Sequence, residues 1–116
     1  MNNNAIEKYL LDKPGSKLDF PFGEDVAVYK VMDKMFALMP VKGAPTISLK
    51  CDPILAEHLR EKYESVMPGY HLNKRHWNTI ALTGQLSDQE IKDLINLSYD
   101  LVVKSLPEKD QKALLK

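Results

Sequence analysis

The segment PGYHLNKRHWNTIAL, Pro68 to Leu82, gathers His71, Lys74, Arg75, His76 and the chain's single tryptophan, Trp77, without one carboxylate. Three kinds of chemistry draw on such residues. Imidazoles ligate metals or move protons, lysine and arginine hold phosphates, and aromatic rings stack on bases. Metal ligation needs converging donors. His71 and His76 lie five positions apart, off the usual helical and CxxC spacings, no acid occurs between Ser65 and Ser87, and His58 is distant in sequence. A turn of exposed or hydrogen-bonded histidines accounts for this pattern better than a metal centre, and no cofactor is implied.

Nucleophilic catalysis rests on Cys51, the only cysteine, which excludes an intramolecular disulfide. A thiol just ahead of a helix can be acidified and attack as thiolate. Nothing in the sequence aligns a particular histidine with it, and a lone cysteine after a strand reads as a small apolar side chain. There is no Gly-rich phosphate loop, GxSxG elbow or HExxH. The acidic pairs Glu24 with Asp25 and Glu57 with Glu61 read as solvated faces. No catalytic residue is assigned, and the chain reads first as a binding protein, with an enzyme using Cys51 or His76 as the last-ranked alternative.

Charge is the remaining signal. The 116 residues carry 16 basic and 16 acidic side chains, a formal net charge of zero, which excludes a protein that coats nucleic acid by bulk charge. The charges are nevertheless segregated. Residues 26 to 50 hold four lysines against Asp33 alone, and residues 68 to 86 hold Lys74 and Arg75 against no acid. Lys30, Lys34, Lys42 and Lys50 together with His71, Asn73, Lys74, Arg75 and His76 would form a basic stripe if the fold brings them together. Asn78 and Tyr70 are further polar or stacking partners, and duplex DNA is the partner such a stripe fits. The competing partner is a protein or small ligand held in a polar pocket around His71, Asn73, Lys74, His76 and Trp77. Scattered lysines also serve simply to protect sheet edges.

These residues must be positioned by a single domain, residues 1–116: the length suits one core, and 44% apolar with 28% charged residues is a globular balance. An asparagine run before Ile6, Leu10 and Leu11 predicts a first helix at about residues 4 to 12, stopped by Pro14-Gly15. KLDFPFGED follows as a turn-rich connection. VAVYKV and MFALMP, broken at Met32-Asp33-Lys34, predict a hairpin, and TISLK predicts a third strand. Asp52 and Pro53 open a second helix ending before Met67-Pro68-Gly69. WNTIAL is a fourth strand. Ser87 and Glu90 form a capping box for the long helix that Pro107 ends, and EKDQKALLK adds a short amphipathic helix. The predicted order is α-β-β-β-α-β-α. This is an α+β chain, a mainly antiparallel sheet of about four or more strands with helices on one face and the other face partly open to solvent or to a partner. No apolar run approaches the ~20 residues of a membrane span, and MNNNAIEKYLLDKPG lacks signal-peptide character, so a cytoplasmic, membrane-free setting is expected.

Taken in order, PFGED, KMFAL, SLKCDP, PGYHLNKRHWNTI and SYDLVVKSLP resemble the bacterial MmcQ/YjbR family, over about residues 5 to 107. YHLNKRHW is the most specific of these segments. The resemblance implies a CyaY-like α/β fold, a double-wing arrangement and a DNA-binding role, with His71, Leu72, Asn73, Lys74, His76 and Trp77 as motif positions of open role. It carries no catalytic residue or cofactor. Iron binding is not implied either, because the first helix lacks an acidic ridge.

Overall fold

The computed structural model describes residues 1–115. Helix α1, Asn3–Leu11, starts where the Asn2 side chain accepts a hydrogen bond from the Ala5 N–H at 2.8 Å, and it turns Ile6 and Leu10 into the core. Four strands follow: β1, Ser16–Asp19; β2, Val26–Val31; β3, Lys34–Pro40; and β4, Thr46–Lys50. Helix α2, Pro53–Lys62, is capped by Asp52, and strands β5, Val66–Pro68, and β6, Trp77–Ala81, come next. Helices α3, Asp88–Lys104, and α4, Glu108–Leu114, complete the chain. Among the described residues no helix is long and apolar enough to cross a membrane.

All pairings are antiparallel, in the order β1-β2-β3-β4-β6-β5. The β2–β3 hairpin turns on Met32 and Asp33, whose φ values of 48° and 65° are the left-handed pair that a two-residue type I′ turn requires. A register shift after Tyr29 leaves Phe36 as the extra residue of β3. Phe36 is fully buried and meets the Tyr99 ring edge-on at 5.3 Å.

Strand alternation sends Tyr29, Ala37, Ile47 and Ile80 toward the helices, where they join Ile6 and Leu10 of α1 and Ile95 and Val102 of α3 in one core. The capping box is present in full, with the Ser87 hydroxyl accepting from the Glu90 N–H and the Glu90 carboxylate from the Ser87 N–H. Tyr63 donates to that carboxylate at 2.5 Å, and these bonds, the tyrosine's above all, hold Glu90 below the usual carboxylate range. Ser98, fully buried in α3, is pinned to the sheet. Its hydroxyl donates to the Phe36 carbonyl at 2.6 Å and accepts from the Lys50 N–H at 2.9 Å.

The α+β class, the hairpin, both long helices and the C-terminal helix agree with the sequence reading, and two strands were missed. β1 lies within the turn-rich connection KLDFPFGED and the residues before it, and β5 takes in Met67 and Pro68, whose sequence signals only a helix stop. Both are sheet edges. β1 is mostly exposed and polar, and β5 contains a proline that an edge tolerates because its missing N–H would point away from the ladder. Neither shows the period-two pattern, because pairing with β2 and β6 rather than burial makes them strands.

Ser98→Ala would remove a partner from the buried Phe36 carbonyl and from the part-buried Lys50 N–H together. The expected loss is about 2 kcal/mol, read as a lower urea midpoint with an unchanged m-value.

Candidate functional site

The other half of each strand's side chains points to the face that no helix covers. Val28, Leu38 and Trp77 are buried there in a second, smaller cluster joined by Val26, Met35 and Leu72. From the turn between β5 and β6, residues 69–76, Leu72 packs onto this cluster. Trp77 is thus a core residue as expected, on the side away from the main core.

Several contacts hold the turn down. Gly69 donates its N–H to the Trp77 carbonyl at 2.8 Å, and a Cβ at that position would lie 2.7 Å from the Trp77 Cβ and 3.0 Å from its carbonyl oxygen, so only glycine fits. Arg60 of α2 reaches across the sheet edge. Its Nε donates to Asn78 Oδ1 at 2.7 Å, and its Nη2 donates to the Lys74 carbonyl and, at 3.3 Å, to the Trp77 carbonyl. Asn78 returns a bond to the Ala56 carbonyl at 3.3 Å. Asn73 Oδ1 accepts from the Arg75 N–H at 3.0 Å in an Asx turn, and the His76 carbonyl accepts from the Cys51 N–H at 2.7 Å.

Beside this turn the open face is hollowed into a cleft of about 560 Å³. Leu38, Thr46, Ser48 and Thr79 form its floor, with Phe22 from the β1–β2 loop at one side and Met67, Tyr70 and His71 at the other. The Ser48 and Thr79 hydroxyls lie 2.8 Å apart, and the Tyr70 N–H donates to Thr79 Oγ1 at 3.2 Å. His71 has φ 57°, a left-handed conformation that costs a residue with a Cβ about 1 kcal/mol, and its ring lies 4.0 Å from that of Tyr70. Among the described residues no aspartate, glutamate, lysine or arginine lines the cleft.

The residues of the expected basic stripe are divided. Lys34 opens β3, Lys50 closes β4, and Lys74 and Arg75 precede β6, so these four share one end of the sheet. Lys42 lies in the β3–β4 connection at the opposite end. Lys30 is held by Asp19 at 3.0 Å, a contact that with the Phe20 N–H keeps the Asp19 carboxyl below its usual range. The Lys74 ammonium donates to the Gly69 carbonyl at 3.2 Å. Of the five residues expected around a polar pocket, only His71 lines the cleft. Asn73 and Lys74 are spent on the turn's own backbone, and Trp77 lies under it. The cleft is apolar rather than polar because the turn contributes Leu72 and rings to its inner side and its charges to the outside.

Sequence reasoning missed Phe22, Thr46, Ser48, Met67 and Thr79. A signal was present in TISLK, where small hydroxyl residues alternate with Ile47 and Leu49, but it marks a second face without saying what covers it. Arg60 carried no signal at all, since its partners lie 14 to 18 residues away. Cys51 is buried, and desolvation first and the neighbouring Asp52 second push its thiol up to about 11. It is a protonated apolar side chain. His58, His71 and His76 do not converge with acids, and among the described residues no group of three or more His, Cys, Asp or Glu is arranged to hold a metal.

A family model described as YjbR matches residues 11–101. The uncharacterized protein YjbR of Escherichia coli strain K12 is 38% identical over 116 residues, covering 99% of this chain and 98% of that protein. The uncharacterized protein YyaQ of Bacillus subtilis is 40% identical over 55 residues, 47% of this chain and 46% of its own. Among solved structures, the Deinococcus radiodurans protein DR2400, with domain DUF419, superposes with a TM-score of 0.89 at 36% identity over 96% of this chain and 86% of that one. A Pseudomonas syringae protein superposes with a TM-score of 0.74 at 34% identity, over 87% of this chain and 98% of its own.

Two outcomes test this geometry. Arg60→Met should cost about 2 to 3 kcal/mol and speed amide exchange in residues 70–76, with Arg60→Lys restoring less than half because an ammonium cannot reproduce the planar fork. A thiol near 11 instead of 9.0 holds about one-hundredth of the thiolate at pH 8. Cys51 should therefore react with iodoacetamide at least a hundredfold more slowly than free cysteine, accelerating only as pH rises toward 11.

Proposed function

This chain belongs to the YjbR family, and for it we propose a non-enzymatic role: binding a small, mainly apolar molecule in the cleft on the helix-free face of the sheet. The observation that carries the reading is the cleft itself. At about 560 Å³ it falls within the range of small-molecule sites, which are concave and mostly apolar with a few placed polar groups. The turn that walls it carries most of YHLNKRHW, the segment on which the sequence resemblance chiefly rests, and it is fastened by Arg60 in a shape that includes a left-handed His71. Local strain held by surrounding bonds fits a surface kept for binding.

Duplex DNA is the second reading, supported by Lys34, Lys50, Lys74 and Arg75 at one end of the sheet beside the β2–β3 hairpin, which would act as a wing. It is the weaker of the two. Lys30 is neutralised by Asp19, Lys42 is at the far end, and Asp33 and Asp52 flank the cluster.

A thermal-shift screen of small molecules, repeated on Thr46→Trp, separates the readings. That substitution fills the cleft from a strand position suited to tryptophan. Compounds that raise the melting temperature should lose at least tenfold in affinity for the variant. Unaltered affinity would overturn the cleft reading. Salt-sensitive binding of duplex DNA, abolished by Lys74→Glu with Arg75→Glu and indifferent to Thr46→Trp, would establish the DNA reading instead.

A further inference from the structure

Resting on the reading of the cleft as a ligand site, we infer that its ligand is a neutral, flat aromatic molecule carrying one hydrogen-bond-accepting oxygen, seated on the Ser48–Thr79 pair and flanked by Phe22 and Tyr70.

Neutrality follows from the lining. A charged ligand would shed water against Leu38, Met39, Pro40 and Leu72 and find no lysine, arginine, aspartate or glutamate among the lining residues. Burying an unpaired charge is far costlier than the contacts could offset.

The accepting oxygen follows from the hydroxyl protons. Ser48 and Thr79 carry one each, and a single bond between them uses one. If Thr79 donates to Ser48, the serine proton is left over. If Ser48 donates to Thr79, then Thr79 Oγ1 accepts from both Ser48 and the Tyr70 N–H, and the threonine proton is left over. Either way one neutral donor remains on the floor of an apolar cleft. A ketone, ether or similar oxygen satisfies it, and a hydrocarbon leaves it without a partner.

The aromatic body follows from the walls. Phe22 is 63% exposed and Tyr70 is 73% exposed, on opposite sides of the β3–β4 floor. Rings left this open contribute little to folding, whereas against a third ring they gain contacts worth more than their area alone. His71, whose ring lies tilted against that of Tyr70 at 4.0 Å, extends that wall, and the exposed thioether of Met67 is of the kind that makes favourable contacts with ring edges.

The test uses the full chain in NMR titrations with four probes of matched size: 2-acetylnaphthalene, 2-ethylnaphthalene, 2-naphthoate and the ring-saturated decalin analogue of the first. The ketone should bind at ~1 mM or tighter, the affinity that modest contact efficiency gives so small a ligand, and shift the Ser48 and Thr79 amides. It should exceed the ethyl compound by about fivefold, the worth of one neutral hydrogen bond, and the anion and the saturated analogue by more. Ser48→Ala with Thr79→Val should bring ketone and ethyl compound within about twofold. Phe22→Ala with Tyr70→Ala, both exposed and so leaving the fold intact, should weaken the ketone more than its saturated analogue.

Equal or tighter binding of the anion or the saturated analogue would overturn this ligand class, as would failure of the ketone to bind. The cleft reading stands or falls separately, on whether compounds from the wider screen lose affinity in Thr46→Trp.

Discussion

Strands alternate their side chains across a sheet, and in this chain both sets are substantially apolar while helices cover only one. The rest of the structure depends on that imbalance. On one side α1 and α3 bury Tyr29, Ile47 and Ile80 in a continuous core. On the other, Val28, Leu38 and Trp77 form a smaller cluster onto which the β5–β6 turn packs Leu72. A loop is a poor cover for a sheet because its own backbone groups need partners. Arg60, Asn73, Lys74 and Thr79 supply those partners, and the cover reaches only part of the face. The cleft is the uncovered remainder.

The same constraint explains why the polar-looking segment lines an apolar site. In a turn folded onto a hydrophobic face, residues divide by direction rather than by sequence neighbourhood. Leu72 and the Tyr70 and His71 rings turn toward the sheet, and Lys74 and Arg75 turn out. The clustering of histidine, lysine and arginine that first draws the eye is thus mostly the solvent side of a structural cover. The groups that matter for an occupant are a serine and a threonine on strands 31 residues apart.

Much of the fold was legible beforehand. Asn2, Asp52 and Ser87 cap helices as their residue types suggest, the Met32-Asp33 break is the hairpin turn, and Pro107 ends the longest helix. The edge strands β1 and β5 were not legible, since each is defined by its neighbour's free backbone groups. The site was legible only in outline. The stretch from Pro68 to Leu82 stands out in the sequence, but its division into cover and wall, the role of Arg60 and the opposing Phe22 do not.

The amino-acid sequence by itself determined the class of fold, the number and kind of its principal elements and the membership of one family, because caps, turns and hydrophobic period act over a few residues and leave their mark locally. Only the tertiary structure decided which face stayed open, where the lysines fell relative to one another and which side chains share the cleft. Those relations join residues tens of positions apart through packing and sheet register, and no local pattern encodes them.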